Sequence, residues 1–299
     1  MSCTILELNP SDFAPQNLGA LLEIPEPPIK LWYQGKLPPA NLKLLAVVGS
    51  RKYTSYGRQV VRHLLAGLKN YPIGIVSGLA LGIDGLVHEA AMENNLYTLA
   101  IPGSGLDREV LYPATHKKLA DEIIESGGGL LSELSPKAAA ALWTFPKRNR
   151  LMVGLCQAVL MIEAGEKSGT LITARLTADY NRELLAVPGS IFSKNSHGVH
   201  QFLKLGATLV TDASDILAAL NLDTGNTKNT RLPSSSPAHS QPKLSDLEEK
   251  IIQTLLEPLD RDTLIRKLNR PASEVSIALM TMEMQGYIKY EDGLYRGLI

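Results

Sequence analysis

Short, continuously apolar runs recur along this chain, and nearly all of them stop at a glycine, a serine or a proline. The runs occupy residues 44–48, 73–76, 98–101, 158–162 and 184–187, with a weaker one at 208–210. Helix-length segments separate most of them. Buried strands that alternate with helices are typical of βαβ units, whose strands lie parallel and are covered on both faces. The sequence therefore predicts an α/β domain with a mostly parallel sheet over residues 44–222.

The segments that flank this region differ from it in composition. Residues 1–43 are proline-rich and weakly periodic, and prolines enclose the short apolar run at 31–33. They are predicted to form an extended N-terminal arm that leads into the core. Residues 223–243 contain almost no core-forming side chains and are predicted to be a flexible linker.

The last segment, 244–299, has the pattern of a small winged-helix domain. Helical periodicity covers 244–256, 260–268 and 273–285, and two short strands flank an Asp-Gly turn at 292–293. Three helices followed by a hairpin form a variant of the helix-turn-helix. The third helix has two glutamates and no lysine or arginine, whereas a helix that enters a DNA groove usually carries positive charge. This favours protein contact or a structural role over DNA contact, and both remain open.

Composition restricts the class of protein. The chain has 30 basic and 30 acidic residues, so its net charge is zero, which argues against a broad basic surface but allows a local anion site. Cys3 and Cys156 provide no disulfide framework, which fits a reducing compartment. The N-terminus lacks a basic n-region, and no apolar run reaches about 18 residues. A cytoplasmic protein with no membrane span is expected.

Gly49, Ser50 and Arg51 follow the first apolar run directly. A glycine at a strand end lets the backbone approach an anion closely, and backbone N–H groups and a hydroxyl can donate to phosphate oxygens. The planar guanidinium of arginine suits phosphate. The carboxyl edge of an open α/β sheet is where such folds bind ligands. The alternative is an ordinary strand-to-helix turn with a surface arginine.

Two further runs end in the same style. The second ends in a glycine-rich loop before a helix, and the third in a Gly-x-Gly pair that is not a full dinucleotide fingerprint. Backbone donors at a helix N-terminus form a ready anion site, and the alternative role of Asp84 is that of an ordinary capping acid. The candidate anion-binding residues of these two ends are Ser77, Gly78, Gly82, Ile83, Asp84, Gly103 and Gly105.

Two more segments carry candidate binding residues. Residues 145–150 are the most basic hexapeptide of the chain, and an aromatic residue leads them. Cations that follow phosphates beside a ring that stacks on a base are what single-strand binding requires; the alternative is a helix start with solvated charges. A small-residue turn after the 158–162 run fits either anion binding or close helix–sheet packing. The candidates are Phe145, Lys147, Arg148, Asn149, Arg150, Ser168, Gly169 and Thr170.

Signatures of catalysis or metal binding are not found. The sequence contains no H-E-x-x-H, no G-x-S-x-G and no Walker A motif. His197 and His200 lie three residues apart, but no cysteine or third histidine completes a ligand set nearby. No cofactor is predicted.

Taken in order, these segments resemble the DprA/Smf family of DNA-processing proteins of bacterial transformation. The resemblance covers about residues 20–222 and rests on seven blocks, to which the C-terminal winged helix adds a frequent appendage of the family. The blocks are V-V-G-S-R (47–51), S-G-L-A-L-G-I-D (77–84), P-G-S-G-L-D with Y-P (102–113), S-E-L (132–134), F-P-K-R-N-R (145–150), E-A with S-G-T-L-I-T-A (163–174) and A-V-P-G-S (186–190).

The resemblance implies an extended Rossmann-like domain that binds single-stranded DNA and forms a homodimer. It also implies protection of incoming DNA and help in loading RecA recombinase during DNA uptake and recombination, with no catalysis. Gly49, Ser50 and Arg51 would hold phosphate, 148–150 would line the same pocket, and Phe145 would lie close to the bases.

The sequence departs from the family pattern at three places. About 40 residues precede the first predicted strand, too few for the helical domain that many members carry there. His116 replaces the usual asparagine after Y-P, and residues 198–200 replace a G-T-N motif. These departures fall on the far side of the pocket and in the 190–205 loop, and they leave the phosphate loop at 49–51 intact.

Two other functions compete with single-strand binding. Gly127, Gly128 and Gly129 followed by Glu133 distantly resemble the glycine loop and catalytic glutamate of phosphoribohydrolases, although the spacing differs. A nucleotide-processing enzyme is therefore the main alternative. A winged-helix transcription factor is the second, and its acidic recognition helix argues against it.

Overall fold

A computed structural model describes residues 4–166, 168–222, 246–255, 259–268, 270–284, 287–291 and 294–297. The chain divides into two compact units, Met1–Thr227 and Lys228–Ile299, which are called the core unit and the C-terminal unit below. The predicted linker at 223–243 lies outside the described residues.

The core unit is built on one sheet. Its described strands are β1 (Leu6–Leu8), β2 (Leu31–Gly35), β3 (Lys43–Val48), β4 (Ile73–Ser77), β5 (Tyr97–Ala100), β6 (Gly129–Ser132), β7 (Ala158–Met161), β8 (Glu183–Ala186) and β9 (Thr208–Leu209). Its helices are α1 (Ser55–Gly67), α2 (Ile83–Glu93), α3 (Lys117–Glu125), α4 (Thr144–Leu155), α5 (Thr170–Asp179), α6 (His197–Lys204) and α7 (Ala213–Ala219).

The strand order creates a switch point at the middle of the sheet. The order is β1-β2-β6-β5-β4-β3-β7-β8-β9. From β3 the chain adds β4, β5 and β6 on one side, then returns to add β7, β8 and β9 on the other, all parallel. The carboxyl ends of β3 and β7 therefore border a crevice where open α/β sheets bind ligands.

All six predicted strands are present, and the α/β class with a mostly parallel sheet is confirmed. The central strands are buried on both faces, which explains why they are continuously apolar rather than alternating. Strand β6 was not predicted. Its first residue is the last of three consecutive glycines, and only two leucines follow before Ser132, so the apolar run is too short to stand out.

The prediction of an extended arm for residues 1–43 is wrong. β1 pairs antiparallel with β2, and β2 pairs antiparallel with β6, so both belong to the sheet. Between them, short 3-10 turns bury Phe13, Leu18 and Leu21 completely against the core. These apolar residues follow neither a helical nor a strand period, and prolines are tolerated in such turns. For that reason the sequence pattern did not indicate a packed segment.

The C-terminal unit has the predicted elements. α8 (Asp246–Thr254), α9 (Arg261–Leu268) and α10 (Ala272–Met284) precede an antiparallel pair, β10 (Ile288–Glu291) and β11 (Leu294–Gly297). Asp260 caps α9 by accepting the backbone N–H of Thr263 at 2.9 Å. The predicted turn at 292–293 lies outside the described residues. The described helices of the chain include none with the length and apolarity needed to cross a membrane.

The burial of Phe13 tests the revised N-terminal segment. Phe13→Ala should lower the free energy of unfolding by about 3–5 kcal/mol, because it removes a fully buried ring and leaves a cavity. Both tryptophans of the chain, Trp32 and Trp143, lie in the core unit, so tryptophan fluorescence during urea unfolding reports on it. Ile29→Ala is the control, since Ile29 is 84% exposed and should change stability by less than about 0.5 kcal/mol. Equal stability of the two variants would mean that the segment is an arm after all.

Candidate functional site

A cavity of about 550 Å³ lies at the carboxyl edge of the sheet, where the loops after β3 and β7 meet the first turns of α4 and α5. This cavity is called the switch-point groove. It brings together ten of the predicted binding residues: Gly49, Ser50, Arg51, Asp84, Phe145, Arg148, Asn149, Ser168, Gly169 and Thr170. Segments separated by more than 100 residues in sequence thus form one surface.

The loop after β3 is pinned from two sides. The Gly49 carbonyl accepts a hydrogen bond from Thr170 Oγ1 at 3.1 Å, and the Ser50 carbonyl accepts the backbone N–H of Ile83 at 3.1 Å. Ser50 Oγ donates to the Lys52 carbonyl at 2.9 Å and accepts the Lys52 N–H at 3.1 Å. The Ser50 hydroxyl therefore shapes this turn, and an anion ligand would have to compete for its proton.

Arg148 is the buried cation of the groove. Its side chain comes from α4 and donates through Nη1 to the Ile101 carbonyl at the end of β5. It also donates through Nε to Asn149 Oδ1 at 3.0 Å. The guanidinium lies against Gly78, where a Cβ would come within 2.5 Å of Nη2. Only glycine at this strand end leaves room for the arginine.

Asp84 supplies the opposite charge near Arg148. Its Oδ2 accepts the backbone N–H groups of Gly78 at 3.1 Å and Ala80 at 3.3 Å, so this carboxylate fixes the loop after β4. Burial raises the pKa of Asp84 above its ordinary value, while the charge of Arg148 opposes that shift. Burial lowers the pKa of Arg148 to about 10, and Asp84 opposes that change. The guanidinium therefore keeps its charge at neutral pH.

Arg51 and Phe145 form the outer part of the groove. The guanidinium of Arg51 lies over the Phe145 ring, 5.2 Å from its centroid, a cation–π arrangement. Tyr112 meets the same ring edge-on, with centroids 5.8 Å apart. A Cβ on Gly103 would collide with the ring, so the Gly-x-Gly strand end makes room for an aromatic side chain. Arg51 is exposed and Phe145 is half-buried, which leaves both able to contact a ligand.

The turn before α5 closes the opposite wall. Ser168 Oγ donates to Thr170 Oγ1 at 2.9 Å and accepts the Thr170 N–H at 3.2 Å. Gly169 is exposed, with open space where a Cβ would lie. Thr170 therefore packs on the loop after β3, while Gly169 presents bare backbone to the groove, and anion binding by this turn stays a prediction.

Two predicted cations face a different partner. Arg150 is buried and donates through Nη2 to both carboxylate oxygens of Glu133 at 2.6 Å. It also donates to the Glu26 carbonyl, so it ties the N-terminal segment to α4. Lys147 Nζ lies 3.5 Å from the same Glu133 carboxylate. Neither cation lines the switch-point groove, and Glu133 is held by two cations rather than presented to a ligand.

Other predicted residues support the groove without lining it. Ser77 is buried and donates to the Val47 carbonyl at 2.7 Å, which joins β4 to β3. Gly82 has a φ of +89° immediately before α2, and Ile83 is buried in the core. Gly105 donates its N–H to the Ala138 carbonyl at 2.8 Å. These residues fix the loops that carry the lining residues.

Lys52 and Asn195 also line the groove and were not predicted from the sequence. Asn195 Nδ2 donates to the Lys52 carbonyl at 2.7 Å and lies 3.4 Å from the buried carboxylate of Glu163. Glu163 also accepts the N–H of Thr54 at 3.0 Å, which fixes the start of α1. The position of Lys52 beside Arg51 was a usable signal. The long-range role of Asn195 left no sequence pattern.

The histidines that depart from the family pattern have ordinary partners. His116 Nδ1 lies 2.9 Å from the Leu79 carbonyl, beside Gly85 in the first turn of α2. His200 Nε2 lies 3.0 Å from the Gly189 carbonyl. Each ring nitrogen can donate to its carbonyl, so these side chains stabilise the loops after β4 and β8.

The close contact between Arg148 and Gly78 can be tested by a substitution that adds one methyl group at position 78. Gly78→Ala should displace the buried guanidinium and lower the free energy of unfolding by about 1–3 kcal/mol. Gly169→Ala is the matched control in the same groove, because its Cβ meets open space. Urea unfolding followed by tryptophan fluorescence compares the two variants. Unchanged stability of Gly78→Ala would show that the arginine is not held there.

Comparison with known proteins agrees with this architecture. The family model for DNA recombination-mediator protein A matches residues 8–221, and the model for the DprA winged helix domain matches residues 235–293. Protein Smf of Escherichia coli is 35% identical over 289 residues, which cover 95% of this chain and 75% of that protein. DNA processing protein DprA of Streptococcus pneumoniae is 41% identical over 198 residues, 66% of this chain and 69% of the relative.

Two solved structures share the fold. DNA processing protein A from S. pneumoniae superposes with a TM-score of 0.66 at 38% identity, covering 72% of this chain and 74% of that one. The Helicobacter pylori protein gives a TM-score of 0.63 at 27% identity, covering 74% and 96%, and its structure concerns that protein's single-stranded DNA binding mode. The extended Rossmann-like fold and the C-terminal winged helix are confirmed. The chain belongs to the DprA/Smf family of DNA-processing proteins.

Proposed function

We propose that this chain binds single-stranded DNA at the switch-point groove through the phosphate backbone, with Phe145 against a base. The observation that carries the proposal is the pairing of Arg51 with the Phe145 ring above a turn of exposed backbone. Cations beside an aromatic ring match a strand whose phosphates and bases are both accessible. In a duplex the bases stack on one another, so the ring would have nothing to contact.

The charge distribution supports a local phosphate site. Arg51, Lys52 and Arg148 line the groove against one lining carboxylate, Asp84. Among the described residues, neither Arg51 nor Lys52 has a carboxylate within 4.0 Å, whereas Arg150 and Lys147 both do. Arg51 and Lys52 therefore give the groove a local positive charge, although the whole chain is neutral.

The related H. pylori protein, whose structure concerns single-stranded DNA binding, gives the proposal independent support. We extend the proposal to the family's role: the chain acts without catalysis, as a cytoplasmic homodimer that protects incoming strands and helps to load RecA recombinase during transformation. A recombinase filament assay on strands coated with single-strand-binding protein tests this extension. No stimulation by the purified chain would contradict it.

The position of Glu133 argues against the alternative of a nucleotide-processing enzyme. Glu133, its candidate catalytic carboxylate, accepts two hydrogen bonds from Arg150 and lies outside the groove lining. A carboxylate held by a buried guanidinium is a structural element of the fold. Release of free base from a nucleoside monophosphate would revive this alternative.

Arg51→Ala provides the direct test of phosphate binding. The variant should bind a fluorescent oligothymidine about 10- to 100-fold more weakly, since it loses charge-assisted hydrogen bonds. The slope of log affinity against log salt should become shallower by about 0.7, the value for one phosphate contact on a single strand. Fluorescence anisotropy across a salt series measures both quantities.

Arg62→Ala is the control for that experiment, because Arg62 is an exposed arginine of α1 outside the groove lining. It should leave the affinity and the salt slope unchanged. Equal binding by Arg51→Ala and the unsubstituted chain, or duplex binding as tight as single-strand binding, would contradict the proposal.

A further inference from the structure

The loop at 188–196, between β8 and α6, exposes two large apolar side chains. Phe192 is 90% exposed and Ile191 is 71% exposed. Phe192 is the most exposed of the described phenylalanines, since Phe13 and Phe202 are buried and Phe145 is half-buried. Together with Ile191, the Phe192 ring forms a small exposed apolar patch that is open to a ligand.

The loop is held in place at both ends. Tyr56 Oη donates to the Pro188 carbonyl at 2.5 Å, and His200 Nε2 lies 3.0 Å from the Gly189 carbonyl. At the other end the Asn195 carbonyl accepts the N–H of Ala164 at 2.7 Å. Within the loop, the Phe192 N–H donates to Ser190 Oγ at 3.2 Å. The exposed ring therefore projects from a fixed loop.

The same loop borders the switch-point groove. Asn195 lines the groove and bonds to Lys52, and Phe192 lies three residues earlier, within about 11 Å of it by chain length. Between them, exposed Lys194 passes beside Gly165, another lining residue. Among the described residues Lys194 has no carboxylate within 4.0 Å. A cation without a carboxylate partner and an exposed aromatic ring thus occur in one short loop beside the groove, and Arg51 and Phe145 provide the same two groups within it.

We propose that Phe192 is a second stacking residue for single-stranded DNA, with Lys194 on a phosphate of the strand near the base that Phe192 stacks on. The inference rests on the proposed function and extends it: the strand would run from Phe145 past Arg51 and Lys52 to Phe192. A base–aromatic stack tolerates any base, so this contact lengthens the binding site without adding sequence preference.

A second copy of the chain is the competing occupant of this loop. Two adjacent apolar side chains offer far less than the roughly 800 Å² per partner that a stable protein interface buries. Continuity with the cationic groove favours a nucleic acid strand instead. The experiment below includes the oligomeric state, so that the competing occupant would be detected.

Length-dependent binding tests the proposal. We expect Phe192→Ala to bind short oligothymidines of about 4 nucleotides as the unsubstituted chain does, and oligomers of about 16 nucleotides about 5- to 100-fold more weakly. The loss should disappear when abasic residues replace the bases at the end that reaches Phe192. Phe192→Trp should keep the affinity and show quenched tryptophan fluorescence with the long oligomer. Ile29→Ala removes an equally exposed apolar side chain elsewhere and should bind normally.

The outcomes separate the two claims. If the unsubstituted chain binds no oligomer, or if Arg51→Ala changes nothing, the proposed function fails. If Arg51→Ala weakens binding but Phe192→Ala matches the unsubstituted chain at every length, only the present inference fails. A Phe192→Ala loss that is equal at all lengths, with a changed mass in light scattering, would overturn the inference in favour of self-association.

Discussion

A charged guanidinium buried at a sheet edge organises the core unit's functional face. Arg148 reaches from α4 to the Ile101 carbonyl and lies against Gly78, near the Asp84 carboxylate. A buried charge is tolerated only where partners replace the lost water. Here the surroundings of the charge come from the ends of β4 and β5 and from Asp84 in the first turn of α2. Because these contacts fix α4, Phe145 in its first turn lies beside Arg51 of the loop after β3.

The strand order determines where that face lies. β3 and β7 are neighbours in the sheet but are separated by three strands in the chain, so their carboxyl ends diverge and leave a groove. The Thr170 hydroxyl spans it by bonding to the Gly49 carbonyl. A neutral chain can thus present a cationic surface locally, because some basic residues outside the groove, such as Arg150 and Arg108, are paired with acids.

The sequence predicted the parts of the site that depend on local chemistry. Continuous apolar runs ending in glycine indicated the central strands, and parallel strands necessarily bring Gly49, Gly78 and Gly103 to one edge. The sequence pattern does not show in which direction each side chain of α4 points. Residues 145–150 form one basic segment in the sequence, yet Arg148 lines the groove and Arg150 pairs with Glu133. The packed segment before β3 was missed because 3-10 turns have no sequence period. Asn195 was missed because its contacts span more than 100 residues.

The most direct test of the central claim is an experimental structure with a short oligothymidine bound. We expect phosphates within hydrogen-bond distance of Arg51 and of the backbone around Gly49 and Gly169, with one base against the Phe145 ring. The salt dependence of the affinity in solution should then arise from phosphate contacts at the switch-point groove. An oligomer bound only to α10 of the C-terminal unit, with the switch-point groove empty, would contradict the account.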